Sequence, residues 1–188
     1  MKKGWTTTKL IAIGGLAALN VTIQLIASIL TLTSDVMMAS GVITSFVGPV
    51  LVVLSLLLIN RFGSGFIFLT ITGILDIPLA IAGPPGFLPK ALLYVCLGII
   101  VELTYFYLKR YNKIAAVAVV GGIEDVFITL SVIAVARLFN VPGVESIAKF
   151  VSTPMIAALF LVGCLSGYLG YLSYQKIKDT AVVKRIQL

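Results

Sequence analysis

Apolar residues run along this chain in six blocks, each separated from the next by a short polar or Gly/Pro-rich break. A helix needs ~20 apolar residues to cross a bilayer. On that measure the blocks predict spans at 10–32, 38–59, 64–82, 89–108, 114–139 and 150–174. Thr33, Ser34 and Asp35 interrupt the first pair, and Asn60-Arg61-Phe62-Gly63 is a tight turn between the second and third. Gly83-Pro84-Pro85-Gly86 cannot continue a helix and predicts a loop. Lys109-Arg110-Tyr111-Asn112-Lys113 closes the fourth block, and Asn140-Val141-Pro142-Gly143 opens a loop reaching Lys149. A polar, basic tail occupies 175–188. The run from Leu10 to Leu32 is too long for the apolar region of a signal peptide, so it reads as the first span. The expectation is an all-α bundle of about six transmembrane helices forming a single domain over residues 1–188.

Composition agrees with a lipid-exposed surface. The chain is 60% hydrophobic and 11% charged, where a soluble domain carries ~25% charged residues. Mean hydropathy is +1.13. The net charge of +7 would suggest nucleic acid in a soluble protein, but no basic nucleic-acid module is present. The bases flank the spans instead. Lys2, Lys3, Lys9, Arg61, Lys109, Arg110, Lys113, Lys176, Lys178, Lys184 and Arg185 fall on one side, and Lys90, Arg137 and Lys149 on the other. The positive-inside rule then puts both termini in the cytoplasm and favours an even number of spans. Tyr105, Tyr107 and Tyr111 fit an interfacial aromatic belt at the inner end of the fourth span.

Several chemistries are excluded. There is no histidine, which removes Ser-His-Asp triads, HExxH zinc sites and haem-binding His. No metal or cofactor is expected. Cys96 and Cys164 lie inside apolar blocks and read as buried small hydrophobes rather than a disulfide or metal pair. The chain lacks a Gly-x-x-x-x-Gly-Lys-Ser/Thr phosphate loop, so it is not an ATPase. Nothing supplies a nucleophile and base together, and a non-catalytic role is expected.

Four acids fall inside the spans: Asp76, Glu102, Glu124 and Asp125. Ionisable groups at that depth are costly, so each needs an account. Counting 1.5 Å per residue, Glu124 lies ~15 Å from the cytoplasmic start of span five and Glu102 at similar depth, with Asp76 nearer the outside. Either they form a proton relay or ion site, or they are polar glue between helices. Glu124 and Asp125 are adjacent, so their side chains diverge by about 100° and make no paired-carboxylate site on one helix face. Small residues recur four apart at Gly14 and Ala18, Gly163 and Gly167, and Ser166 and Gly170. Such spacings serve packing within a bundle or docking of another membrane subunit. Topology gathers Ser34, Asp35, Lys90, Tyr94, Arg137, Asn140, Glu145, Lys149, Ser152 and Thr153 near the outer face. These are wetted helix ends or the polar groups of a small-molecule pocket. Three bases against two acids there favour a ligand with an anionic group.

The segment from Gly73 to Tyr94, with Asp76, Pro78, the Gly83-Pro84-Pro85-Gly86 loop, Pro89 and Lys90, resembles the junction of spans three and four in the substrate-binding S components of energy-coupling-factor transporters. Size, the lysine-rich start and the expected topology resemble that family over the whole chain. The resemblance implies high-affinity capture of a vitamin-like organic micronutrient from outside. It implies partners: a membrane coupling subunit and two cytoplasmic ATPases. It implies the cytoplasmic membrane of a prokaryote. Docking in the family often uses Ala-x-x-x-Ala on span one, for which Gly14-x-x-x-Ala18 is the nearest match. Family pockets map here onto Asp35, Lys90, Tyr94, Arg137, Asn140, Glu145 and Lys149. The alternative expectation is a self-contained proton-coupled transporter or channel using the intramembrane carboxylates.

Overall fold

A computed structural model describes residues 4–33, 39–79, 85–139 and 152–187. The predicted site residues Asp35, Asn140, Glu145 and Lys149 lie outside the described residues. Within them the chain is helical, with no strand. The helices are α1 (Thr7–Thr33), α2 (Ala39–Ile59), α3 (Ser64–Asp76), α4 (Pro89–Leu108), α5 (Lys113–Leu138), α6 (Thr153–Ile177) and α7 (Ala181–Gln187). Five of them, α1, α2, α4, α5 and α6, are long and apolar enough to cross a membrane. The chain is a multi-pass membrane protein. Its bundle has a basic end, carrying Lys9, Arg61, Lys109, Arg110, Lys113 and Lys176, and an opposite, far end.

Local sequence explains most helix boundaries. Pro89 occupies the first turn of α4, where its missing N–H costs nothing. Asn112 caps α5, its side-chain oxygen accepting from Ile114 N at 2.9 Å and Ala115 N at 3.2 Å. The turn between α2 and α3 uses left-handed backbone at Asn60 (φ 49°) and Gly63 (φ 96°).

One span departs from expectation. The third apolar block runs to 82, yet α3 stops at Asp76, and Ile77–Leu79 form a turn. Pro78 is the cause: it lacks the N–H that would carry the helical ladder on to the Ile74 carbonyl, while Ile77 before it keeps helical angles (φ −52°, ψ −51°). With 13 residues, α3 is ~20 Å long, short of the ~30 Å hydrocarbon core. The Gly86 N–H donates to the Ile77 carbonyl at 2.7 Å, tying the following loop back to the end of α3.

Packing is closest between α5 and α6. A methyl group on Gly121 would meet the Gly163 carbonyl, and one on Gly167 would meet the Val117 carbonyl. The Gly163 and Gly167 pair therefore serves backbone approach within this chain. Gly170 brings α6 near Val50 of α2, less closely, with 2.9 Å between a built methyl group and the Val50 carbonyl. α2 lies at the centre, touching α1, α3, α5, α6 and α7, while α4 packs between α3 and α5. Leu56, Phe68, Leu69, Leu97 and Val101 are fully buried along these seams.

Two further expectations are corrected. The tail is not merely polar: α7 folds back on the bundle, burying Val183, and its Gln187 amide donates to the Tyr174 hydroxyl at 3.1 Å. Both cysteines are free, but only Cys164 is partly buried. Cys96 faces outward from α4, because an apolar block in lipid satisfies its outer face with acyl chains rather than with neighbouring helices.

Candidate functional site

The short helix α3 is held at both ends by side chains of α4. Four N–H groups at a helix start have no partner within the helix. In α3 the Ser64 N–H is closed by the preceding turn, donating to Arg61 O, the Gly63 N–H of the cap lies beside the Glu102 carboxyl, and Ile67 N–H already makes the first helical bond, to Gly63 O. The other two, Gly65 N and Phe66 N, donate to Glu102 Oε2 at 2.8 and 3.2 Å. At the opposite end Lys90 Nζ donates to the Asp76 carbonyl at 2.9 Å and the Leu79 carbonyl at 2.6 Å. Carboxyl at the helix start and ammonium at its end both complement the helix dipole. Twelve residues separate Lys90 from Glu102, and twelve separate Ser64 from Asp76, so both intervals measure ~18 Å along helices. The register of the clamp follows from that match. Glu102 is thereby accounted for as a helix cap, one of the two roles open to it in the sequence.

Lys90 also borders a buried polar cluster toward the far end. Asp76 and Lys90 are buried completely, or nearly so. Tyr94, one turn along α4 from Lys90, lies beside the Asp76 carboxyl and the Gln24 amide, with Glu124 in the same neighbourhood. Neither Asp76 side-chain oxygen has a partner at hydrogen-bonding geometry. Glu124 points at α2, where Gly48 leaves room: a methyl group there would stand 3.0 Å from Glu124 Oε1. Asp125 lies beside Ser45, also on α2. Pro49 has no N–H to give to the Ser45 carbonyl four residues back, so a backbone acceptor is released at the same place. Five helices thus contribute: α1 (Gln24), α2 (Ser45), α3 (Asp76), α4 (Lys90, Tyr94) and α5 (Glu124, Asp125).

Chemically the cluster is rich in acceptors. Asp76 Oδ1 and Oδ2, Glu124 Oε2 and Asp125 Oδ2 are buried without a hydrogen-bond partner among the described residues. Orphaned polar atoms in an apolar medium cost several kcal/mol each by transfer measures, roughly 2–7. Groups with N–H or O–H donors would satisfy them. The outer polar set in the sequence counts more bases than acids, yet the described cluster counts three carboxyl groups to one ammonium. The adjacent Glu124 and Asp125 are both buried, Glu124 against Gly48 and Asp125 beside Ser45, two positions of α2.

Other predicted residues fall elsewhere. Arg137 is exposed in the last turn of α5, and Ser152 and Thr153 are exposed at the start of α6. On α1 Ala18 is exposed and Gly14 half-buried, with nothing among the described residues within 4 Å of a methyl group built on Gly14. Gln24 and Ser45 were not anticipated. Asn20 and Gln24, buried amides four residues apart on α1, mark one helix face within an apolar span, and that spacing was the available signal. A larger recess of about 510 Å³ lies between α5 and α6, lined by Ile123, Val126, Phe127, Leu130 and Phe160. Its apolar walls suit an acyl chain rather than a polar solute.

Comparisons of this chain with models of known protein families, with curated proteins and with solved structures each find no match.

Proposed function

We propose that this chain is the substrate-binding S component of an energy-coupling-factor type transporter, capturing a small organic, vitamin-like solute at the cytoplasmic membrane of a prokaryote. Both termini and the basic end face the cytoplasm in this reading. The observation that carries it is the buried polar cluster that reaches from the far end, where Lys90 and Asp76 lie, to Glu124 and Asp125 near the middle of the bundle. Asp76, Lys90 and Tyr94 belong to the same segment that resembles the family. A few polar groups in an apolar surround are what a small-molecule site requires. The unpartnered oxygens of Asp76, Glu124 and Asp125 suit a solute bearing several hydrogen-bond donors. Asp35, Arg137, Asn140, Glu145 and Lys149 belong to the outer rim in this reading. The open face at Gly14 and Ala18 suits close approach of a coupling subunit, and two cytoplasmic ATPases supply the energy.

The test is affinity purification of the tagged chain from its native cells in mild detergent. Copurification of a membrane coupling subunit with two ATPases supports the proposal. Recovery of the chain alone or only as a homo-oligomer, across several detergents, sinks it.

A second reading is favoured by the same orphaned carboxyl oxygens: a self-contained transporter or channel coupled to protons through Asp76, Glu124 and Asp125. It requires pH-driven flux in liposomes holding this chain alone. Flux that survives Glu124→Gln and Asp76→Asn would rule it out.

A further inference from the structure

A second polar site lies at the basic end, remote from the cluster and independent of the solute-capture reading. Lys9, in the first turns of α1, is buried to 2% exposure. Burial of a lysine at this level is rare without a partner. No hydrogen bond or ion pair holds its ammonium among the described residues, and Nζ is not sealed within the packing. It lines a recess of about 300 Å³ with Ile59, Asn60, Arg61 and Gln187, at the lower end of the ~300–1,000 Å³ range of small-ligand clefts. Each wall is fixed. The left-handed turn at Asn60 sets the Asn60–Arg61 edge. Gln187 is anchored by its amide to the Tyr174 hydroxyl at 3.1 Å and reaches the Leu57 carbonyl at 3.5 Å. Two cations face the space, and among the described residues no carboxylate lines it.

We propose that this recess, formed by Lys9, Asn60, Arg61 and Gln187, binds a phosphate-bearing anion. Arg61 offers a planar fork of donors and Lys9 a point charge, the complementary pair for phosphate oxygens. The Asn60 amide can donate to a third oxygen. The recess stands at the end of the spans, where headgroups of anionic lipids gather around basic residues. A lipid headgroup and a free phosphate share this chemistry, and the experiment separates them. The folding back of α7 gains a role here, since Gln187 completes the recess only when that helix is docked.

The full chain would be purified in detergent containing equal amounts of phosphatidylglycerol and phosphatidylcholine, and retained lipid weighed by native mass spectrometry. Preferential retention of phosphatidylglycerol is expected. Lys9→Met and Arg61→Gln should each lower it by roughly tenfold, the loss of one hydrogen bond to a charged group. Lys9→Arg should keep it, guarding against a folding defect as the cause. Arg110→Gln removes the same charge from an exposed position at the same end and should change nothing. In lipid-free detergent, inorganic phosphate would be titrated against the fluorescence of Trp5, whose ring lies 3.4 Å from a methyl group built on Gly63, beside the same turn. A phosphate response lost in Lys9→Met, without lipid preference, identifies a soluble phosphate as the source. Equal lipid retention in wild type, Lys9→Met and Arg61→Gln, with no phosphate response, overturns the site. So does a loss in Arg110→Gln as large as in Arg61→Gln.

Discussion

Replacing Glu102 separates a structural carboxyl from a proton-carrying one. Its Oε2 accepts from Gly65 N and Phe66 N, the two N–H groups at the start of α3 that the preceding turn leaves open. Glu102→Ala orphans both. In membrane proteins a hydrogen bond averages ~0.6 kcal/mol, because the reference state also finds partners. Buried backbone donors left unmade cost up to ~2–3 kcal/mol apiece in other settings. The expected destabilisation therefore lies between about 1 and 6 kcal/mol, on the floor and ceiling of those two scales. Glu102→Gln keeps an amide oxygen in nearly the same place, so it should cost less than half as much. Equilibrium unfolding in mixed micelles would measure both, with solute binding or flux as a parallel readout. A helix cap predicts that Gln retains function and most stability. If Gln abolished function while Ala and Gln were equally stable, the capping argument would be wrong and Glu102 would belong to a proton path.

Tyr94→Phe removes only the hydroxyl beside Asp76 and Gln24, so solute binding should weaken by about tenfold while the fold survives, checked by ligand-dependent thermal shift. Gly163→Ala drives a methyl group into the Gly121 backbone and should destabilise the chain by about 1–3 kcal/mol in the same unfolding assay. Gly14→Leu meets open space and should leave the isolated chain within about 0.5 kcal/mol of wild type, yet reduce recovery of a coupling subunit in copurification. Lys90→Met strips the cap from Asp76 O and Leu79 O. It should lower stability and solute affinity together, since one ammonium serves both the helix end and the cluster.

Much of the bundle was legible because lipid imposes a simple rule on length and charge. α4 coincides with its apolar block at Pro89–Leu108, bounded by Pro89 on one side and Lys109 and Arg110 on the other. α3 was less legible, because Pro78 sits in an apolar context and block length outweighed it. The site was visible in part. Lys90, Tyr94 and the acids stood out as polar groups in or near apolar spans, while Gln24 and Ser45 did not, since uncharged polar residues barely perturb hydropathy. Which acid does what depended on neighbours distant in sequence. Glu102 meets residues 36 and 37 positions away, and nothing local announces that contact. The tail read as basic and polar because α7 buries a single apolar residue, Val183, too little for a periodic signal.

The clamp also determines how this site could open. α4 holds both ends of α3, and Tyr94 presses against Gly73 between them, where a methyl group would stand 2.7 Å from the Tyr94 Cβ. α3 and α4 must therefore move as one hairpin. α5 and α6 are locked by the backbone contacts of Gly121, Gly163 and Gly167 and form a second unit. The polar cluster straddles these two units: Asp76, Lys90 and Tyr94 belong to the first, Glu124 and Asp125 to the second. A change that admits or releases a solute is then cheapest along the seam between Tyr94 and Glu124, where α4 packs on α5 without the glycine-to-backbone contacts that lock α5 to α6. Gly73→Ala tests this, because the clamped ends prevent α3 from sliding to relieve the contact. Overpacking of this kind costs about 1–3 kcal/mol, and Tyr94 would be displaced toward Glu124. Solute affinity should fall more than in Gly163→Ala at equal loss of stability. Equal losses of affinity in the two variants would mean that the helix pairs do not move as separate bodies.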